Sequence, residues 1–287
     1  PFEAWLAADD VTEILVNQPH EVWVERMGAD EMECHDAPAI DAQLLERLAQ
    51  QVARISHQGI NRESPLLAAI LPGGARIQIV LPPATRGSVA IAIRKHVLHD
   101  MTVDGYLAQC RTGSLNAAKS ELSLSALLEK GDVSTFLKKA VAMRKTILLS
   151  GGTSSGKTTL LNALLKEIPQ NERVIAIEDT PEIKLGRNNS IGLVAVSGDQ
   201  GEARVTIEEL MRASLRMRPD RMIVGELRGP ENVNSLRAIN TGHPGSISTI
   251  HASTTEGAFE QLALMCMQAD LGLGRNETID YARSMID

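Results

Sequence analysis

The chain has 287 residues, of which 43% are apolar, and a formal net charge of −7. This length and composition suit two packed globular domains. The net acidity and an aromatic content of 2% disfavour a general nucleic-acid platform of basic grooves and stacking rings. Three scattered cysteines indicate neither a disulfide framework nor a zinc site and favour a reducing cytosol, and no apolar run is long enough to span a bilayer. Because the chain starts at Pro1 and stops inside a predicted helix, we expect it to be part of a longer protein.

The pattern over residues 1–94 predicts a small α+β domain. Two short apolar runs, 13–17 and 21–25, flank a turn signal and predict neighbouring strands. Asp41 stands where it would cap a helix whose apolar residues fall on one stripe.

Two further strands of this domain are predicted at 76–81 and 88–94, where apolar and polar residues alternate. They place Arg76 and Arg94 away from the apolar faces, so that two guanidinium groups could be aimed at a phosphate. Solvated strand arginines give the same alternation, and the pattern alone favours that simpler interpretation.

Residues 95–125 contain several helix and strand breakers and are predicted to be an interdomain linker. The second predicted domain covers 126–287.

The most informative motif joins an apolar run to a helix through a Gly/Ser loop. Gly151 and Gly156, followed by Lys157 and Thr158, have the spacing of a phosphate-binding loop. Glycines let backbone N–H groups turn toward a phosphate, and the helix N-terminus adds partial positive charge. We expect Lys157 to reach the β- and γ-phosphates of ATP, and the Thr158 hydroxyl to bind Mg²⁺. The predicted nucleotide-binding residues are Gly151, Gly152, Thr153, Ser154, Ser155, Gly156, Lys157, Thr158 and Thr159.

Strands and helices alternate after this loop, which predicts a mainly parallel sheet covered on both faces. Three predicted strands end in polar residues, namely Glu178, Glu226 and His251. Since ligands of open α/β sheets bind at the carboxyl ends of the strands, we expect these side chains to meet beside the phosphate loop. The alternative is that they are surface polar groups.

A capping-box pattern at Thr206 and Glu209 predicts a helix that carries Arg212 and Arg216. These arginines could face a neighbouring subunit or only solvent.

Four segments together resemble the secretion traffic ATPases, the hexameric motors of type IV secretion and conjugation, which are related to type II secretion and type IV pilus motors. Residues 178–182 resemble the aspartate box of that family, 216–229 its Walker B segment and 240–252 its histidine box. Residues 13–19 resemble the opening of its N-terminal domain.

The resemblance implies a RecA-like phosphate-loop domain and an ATP-driven ring. It assigns Lys157 and Thr158 to the phosphates and Mg²⁺, and His251 to sensing the γ-phosphate. Glu226 would be the acidic residue of Walker B and Glu178 that of the aspartate box, and residue chemistry alone does not rank them as the group that orients the attacking water. We place Glu226 first because it closely follows an apolar strand.

The position that often carries a Walker B aspartate is Val224 or Gly225 here, so Mg²⁺ is expected to rely on Thr158 and waters. The resemblance also implies that Arg76 and Arg94 approach the nucleotide, in place of the solvated arginines that alternation favours.

The implied assembly is a cytoplasmic homohexamer, peripheral at the inner membrane, that works with inner-membrane components of a secretion channel on an exported protein or nucleoprotein. A RecA-like helicase or DNA translocase is the alternative of similar chemistry. A nucleotide-gated platform with negligible turnover is a non-enzymatic alternative, and a turnover assay discriminates.

Overall fold

The computed structural model describes residues 1–95, 124–196, 203–229, 243–268 and 274–286. Within residues 1–95, six antiparallel strands form a sheet of order β3-β2-β1-β6-β5-β4. The strands are β1 (Val11–Val16), β2 (Glu21–Arg26), β3 (Glu33–Asp36), β4 (Leu66–Ile70), β5 (Arg76–Val80) and β6 (Ala90–Arg94). Two helices accompany them, α1 (Glu3–Ala7) and α2 (Ala42–Ile55).

Helix α2 begins where its capping residue predicts, because the Asp41 carboxylate accepts a hydrogen bond from the N–H of Leu44 at 2.7 Å. Its buried stripe, which includes Leu45 and Val52, packs against the apolar side chains Ile77 and Ile91 of the sheet. Strands β3 and β4 are not predicted, because β3 is almost entirely polar and β4 carries Leu and Ala without alternation.

From residue 124 onward, the described residues contain a parallel sheet of order β7-β11-β10-β8-β9. The strands are β7 (Ile147–Gly151), β8 (Val174–Glu178), β9 (Ser190–Val194), β10 (Arg221–Leu227) and β11 (Ile247–His251). Residues 124–129 are helical, and the helices that follow are α3 (Val133–Ala142), α4 (Lys157–Leu165), α5 (Ile207–Ser214), α6 (Thr255–Gln268) and α7 (Arg275–Met285). The two sheets confirm the predicted fold class, an α+β unit followed by a mainly parallel α/β unit.

Both faces of the parallel sheet are buried, as the apolar strand sequences predict. On β8, Val174 and Ala176 point into a core with Leu161 and Leu164 of α4, whereas Ile177 points into a second core on the opposite face. The capping box of Thr206 and Glu209 is present at the start of α5. None of the helices in the described part of the chain combines the length and apolar character that a membrane-crossing segment needs.

The second core is shared between the two sheets. Leu15, Ala90 and Ala92 of the antiparallel sheet lie in one buried cluster with Ile177 and Leu193 of the parallel sheet. The antiparallel sheet is therefore packed on both faces, against α2 on one side and against the parallel sheet on the other.

Polar contacts cross the same interface. Arg173 is fully buried and donates to Asn17 Oδ1 at 2.6 Å, and burial lowers its pKa to about 9. Arg218 forms an ion pair with Glu25 of β2. The predicted linker, 95–125, falls mostly outside the described residues.

Candidate active site at the phosphate loop

The backbone conformation of the loop between β7 and α4 depends on its glycines. Gly156 has φ +90°, in the left-handed region, and immediately precedes the first turn of α4. At Gly151 a Cβ atom would lie 2.3 Å from Ser155 Oγ, so any larger residue there would force Ser155 to move. The Lys157 ammonium donates to the carbonyl oxygens of Gly151 and Gly152, both at 2.8 Å, and lies across the mouth of the loop. Thr159 follows in the first turn of α4 and is exposed.

A pocket of about 220 Å³ opens beside this loop. It brings together Lys157, Thr158, Glu178, Glu226 and His251, which the sequence placed in one site. Its lining consists of Thr153, Ser154, Lys157, Thr158, Leu161, Glu178, Asp179, Thr180, Glu182, Ile183, Gly225, Glu226, Arg228, Thr249 and His251.

Glu178, at the end of β8, is 1% exposed. Its Oε1 accepts hydrogen bonds from the backbone N–H groups of Glu182 and Ile183, each at 2.8 Å. Its Oε2 forms an ion pair with Arg86, which comes from the antiparallel sheet. Oε1 is thus held by two backbone hydrogen bonds and Oε2 lies against a cation, and this arrangement suits a structural anchor better than a group that binds water.

An irregularity in β10 determines where the Glu226 side chain points. The pairing of β10 with β11 shifts register between Val224 and Leu227, and a Cβ at Gly225 would lie 2.9 Å from Glu178 Cγ. The small residue and the bulge together turn Glu226 into the pocket, as bulges commonly re-aim a side chain.

Arg228 organises the acidic side of the pocket. It donates to Glu226 Oε2 at 2.5 Å and to Asp179 Oδ2 at 2.6 Å. The hydrogen bond to Glu226 is the main reason that the pKa of Arg228 is raised. Sequence reasoning did not assign roles to Arg228 or Asp179, although both belong to the recognised segments.

Thr158 and Glu182 form the oxygen-rich edge of the pocket. The Thr158 hydroxyl donates to Glu182 Oε2 at 3.1 Å, and Asn162 of α4 holds the same segment by donating to the Glu182 carbonyl at 3.3 Å. Hydroxyl and carboxylate oxygens are the hard donors that Mg²⁺ prefers. Within the described ranges, no cluster of three or more His, Cys, Asp or Glu side chains has the arrangement of a metal site.

His251 ends β11 directly opposite Gly151 in the parallel pairing of β11 with β7. Two residues earlier, the Thr249 hydroxyl donates to the Gly225 carbonyl at 2.7 Å and ties β11 to the irregular part of β10. The register therefore places His251 beside the phosphate loop.

The structure does not bring Arg76 and Arg94 to the chain's own phosphate loop. They pair across β5 and β6 and line a separate pocket of about 300 Å³ together with Arg216. Arg94 forms an ion pair with the buried Glu13 of β1. The reason is the direction of the strands, because the opposite end of this strand pair, at Arg86, is the end that reaches Glu178.

Comparisons with known proteins agree with the motifs. The family model described as "Type II/IV secretion system protein" matches residues 1–282. The chain is 39% identical over 306 residues to the type IV secretion system protein VirB11 of Bartonella quintana, covering 100% of this chain and 85% of that protein. It is 41% identical over 271 residues to the type IV secretion system protein PtlH of Bordetella pertussis, covering 92% and 79% respectively.

A solved structure shows the same architecture. The crystal structure of the VirB11 ATPase from the Brucella suis type IV secretion system, in complex with sulphate, superposes with a TM-score of 0.91 at 38% identity, covering 100% of this chain and 88% of that one. The family predicted from the four segments is confirmed, and the chain belongs to the type II/IV secretion system protein family.

Proposed function

We propose that this protein is the ATP-hydrolysing motor of a type IV secretion or conjugation system. The observation that carries the proposal is the pocket in which Lys157, Thr158 and Glu226 converge beside a glycine loop and a helix N-terminus. The relatives named as VirB11 and PtlH, and the VirB11 structure named as an ATPase, support it. None of them favours the alternative of a helicase or DNA translocase.

Lys157 is proposed to exchange its two loop carbonyls for the β- and γ-phosphate oxygens of ATP. Thr158 would hold Mg²⁺, and the Glu182 carboxylate, whose Oε2 lies 3.1 Å from the Thr158 hydroxyl, would help to order the water around the ion. When bound, this ion would neutralise negative charge that develops on the transferred phosphoryl group.

Glu226 is proposed to orient the attacking water, because it faces the pocket while Glu178 is engaged on both oxygens. Arg228 holds Glu226 and Asp179 in one arrangement. His251, beside Gly151, is proposed to sense the γ-phosphate at the loop.

The functional assembly is proposed to be a homohexamer. Arg76, Arg94 and Arg216 converge at a pocket away from the chain's own phosphate loop, and this placement supports a role toward the nucleotide of a neighbouring subunit. An arginine supplied in this way is worth roughly 10³ to 10⁵ in rate in other phosphoryl-transfer enzymes.

The ring is proposed to lie in the cytoplasm at the inner membrane. It would act with inner-membrane components of the channel on an exported protein or nucleoprotein.

The test is to measure the ATPase rate and the solution mass with and without ATP and Mg²⁺. We expect Mg²⁺-dependent turnover and a mass near six times the 31.0-kDa chain. Absence of turnover under all assembly conditions would favour a nucleotide-gated platform, and turnover that requires nucleic acid would favour a DNA translocase.

A further inference from the structure

One arginine of the antiparallel sheet reaches the acidic side of the phosphate-loop pocket, and the backbone around it is docked on the parallel sheet. The N–H of Arg86 donates to the Gly192 carbonyl at 3.1 Å, and the N–H of Val194 donates to the Ala84 carbonyl at 3.0 Å. The segment that connects β5 to β6 therefore pairs with β9, the outer strand of the parallel sheet.

The side chain of Arg86 passes over a gap that Gly192 leaves in β9. A Cβ atom at residue 192 would lie 2.4 Å from Arg86 Cδ and 2.5 Å from Arg86 Nε. No backbone requirement for glycine is evident at this position, since Gly192 is not among the residues with positive φ. The glycine therefore has a specific use, which is to let Arg86 cross the strand.

Beyond the strand, the guanidinium meets both ends of one turn. Its Nη1 donates to the Ile183 carbonyl at 2.6 Å, and its Nη2 forms the ion pair with Glu178. Glu178 in turn accepts from the N–H groups of Glu182 and Ile183. Because Glu178 is buried, removing the cation would leave an uncompensated charge and cost far more than an exposed pair would.

This turn carries groups that line the pocket beside the phosphate loop. Glu182 accepts from Thr158, and Asp179 is bound by the arginine that also binds Glu226. A displacement of the turn would therefore move the oxygen donors on both sides of the pocket.

We propose that Arg86 is a positioning residue, through which docking of the antiparallel sheet sets the geometry of the acidic groups around the phosphate loop; its effect on catalysis rests on the proposed function. Arg86 acts through Glu178 and the turn from Glu178 to Ile183. A shift of the N-terminal domain during the ATPase cycle would therefore be transmitted by Arg86 to the acidic groups of the active site.

The kinetic test uses Arg86→Ala, Arg86→Lys and the exposed N-terminal-domain control Arg54→Ala. We expect Arg86→Ala to lower kcat by about ten- to a hundredfold, while KM for ATP stays within about threefold, because misplaced groups affect turnover more than phosphate binding. Arg86→Lys should recover part of the loss, since it keeps the charge without the two-pronged contact. A kcat for Arg86→Ala equal to that of Arg54→Ala overturns the proposal.

Gly192→Ala supplies a second route that leaves every charge in place. The new methyl group should displace Arg86 and lower kcat in the wild-type background, but have little further effect in Arg86→Ala, where the space is free. Equal losses in the two backgrounds would show that Gly192 acts independently of Arg86. If Arg86→Ala does not fold, the proposal is tested with Arg86→Lys and Gly192→Ala. A wild-type kcat in both of these variants contradicts the proposal.

A readout without nucleotide separates this inference from the proposed function. Hydrogen exchange of the Glu182 and Ile183 amides, which donate to Glu178, should be faster in Arg86→Ala and Gly192→Ala than in wild type and Arg54→Ala. Unchanged exchange contradicts positioning by Arg86. If the wild type hydrolyses no ATP, the proposed function is wrong, whereas the exchange result still decides whether Arg86 holds the turn.

Discussion

The carboxylate of Glu226 and the guanidinium of Arg228 lie 2.5 Å apart at the end of β10. Arg228 follows the end of β10 directly and is only two residues from Glu226, so the short separation in sequence brings this pair together. Through its contact with Asp179, Arg228 also joins the end of β10 to the end of β8. One cation thereby arranges the acidic side of the pocket.

Glu226→Gln is expected to retain ATP binding and to lower kcat by roughly 10² to 10⁴, because the amide keeps the shape of the side chain and loses the charge that orients water. Steady-state turnover and binding of a fluorescent ATP analogue measure the two effects separately. Glu178→Gln should be less severe in kcat, since that carboxylate holds the protein rather than a water. If Glu178→Gln lowers kcat more than Glu226→Gln does, Glu178 orients the water and Glu226 is the structural anchor.

Lys157→Ala is expected to abolish turnover and to leave the fold intact, because it removes a phosphate contact and no core volume. Lys166→Ala, at the other end of α4, is the matched control and should behave as wild type. ATPase assays and thermal unfolding of both variants check this. Wild-type turnover in Lys157→Ala would refute the assignment of the site.

Arg94→Ala is expected to reduce turnover more than ATP affinity, as for a group that acts on the transition state. If Arg94 serves a neighbouring subunit, mixing Arg94→Ala with Lys157→Ala should restore part of the activity, because some sites in mixed rings then have both residues. Turnover is measured across mixing ratios after subunit exchange. If the activity of the mixtures is negligible at every ratio, Arg94 acts on the nucleotide of its own chain or does not take part in catalysis.

The buried carboxyl group of Glu13 predicts a specific pH dependence of stability. Loss of hydration raises its pKa to about 7, against the opposing effect of Arg94, with smaller influences from Glu25 and Arg218. Between the ordinary value of 4.5 and about 7, the folded chain keeps a proton that the unfolded chain has lost. The contribution of Glu13 to the free energy of unfolding therefore falls as pH rises through this window, by up to about 1.4 kcal/mol per pH unit, and is constant above it.

Glu13→Gln should remove this part of the slope. Urea unfolding of wild type, Glu13→Gln and the exposed control Glu46→Gln between pH 5 and pH 8 tests it. Parallel curves for all three proteins would show that Glu13 does not titrate as proposed.

The parts of the site that local sequence encodes could be predicted. The phosphate loop, the strand ends at Glu178, Glu226 and His251, and the cap at Asp41 follow from residue spacing and from the rule that parallel strands end at one edge. Each depends on a few neighbouring residues and on the general geometry of an α/β sheet.

The contacts between the two sheets could not be predicted in the same way. Arg86 reaches Glu178 across more than ninety residues of sequence, and the gap over Gly192 exists only once both sheets are formed. Alternation identified Arg76 and Arg94 correctly as non-core residues, but strand direction decides which end of β5 and β6 approaches the phosphate loop. Periodicity contains no information on that choice.

The core shared by the two sheets also has a consequence for synthesis of the chain. Strand β6 ends at Arg94, whereas the α5 side chains that belong to the same buried cluster as Leu15, Ala90 and Ala92 are translated about 120 residues later. At a translation rate of about 5 to 20 residues per second, the α5 part of this core is synthesised roughly 6 to 24 s after β6. The nascent chain on the ribosome therefore exposes this apolar face before synthesis is complete. During that time a chaperone or another nascent subunit can bind the face.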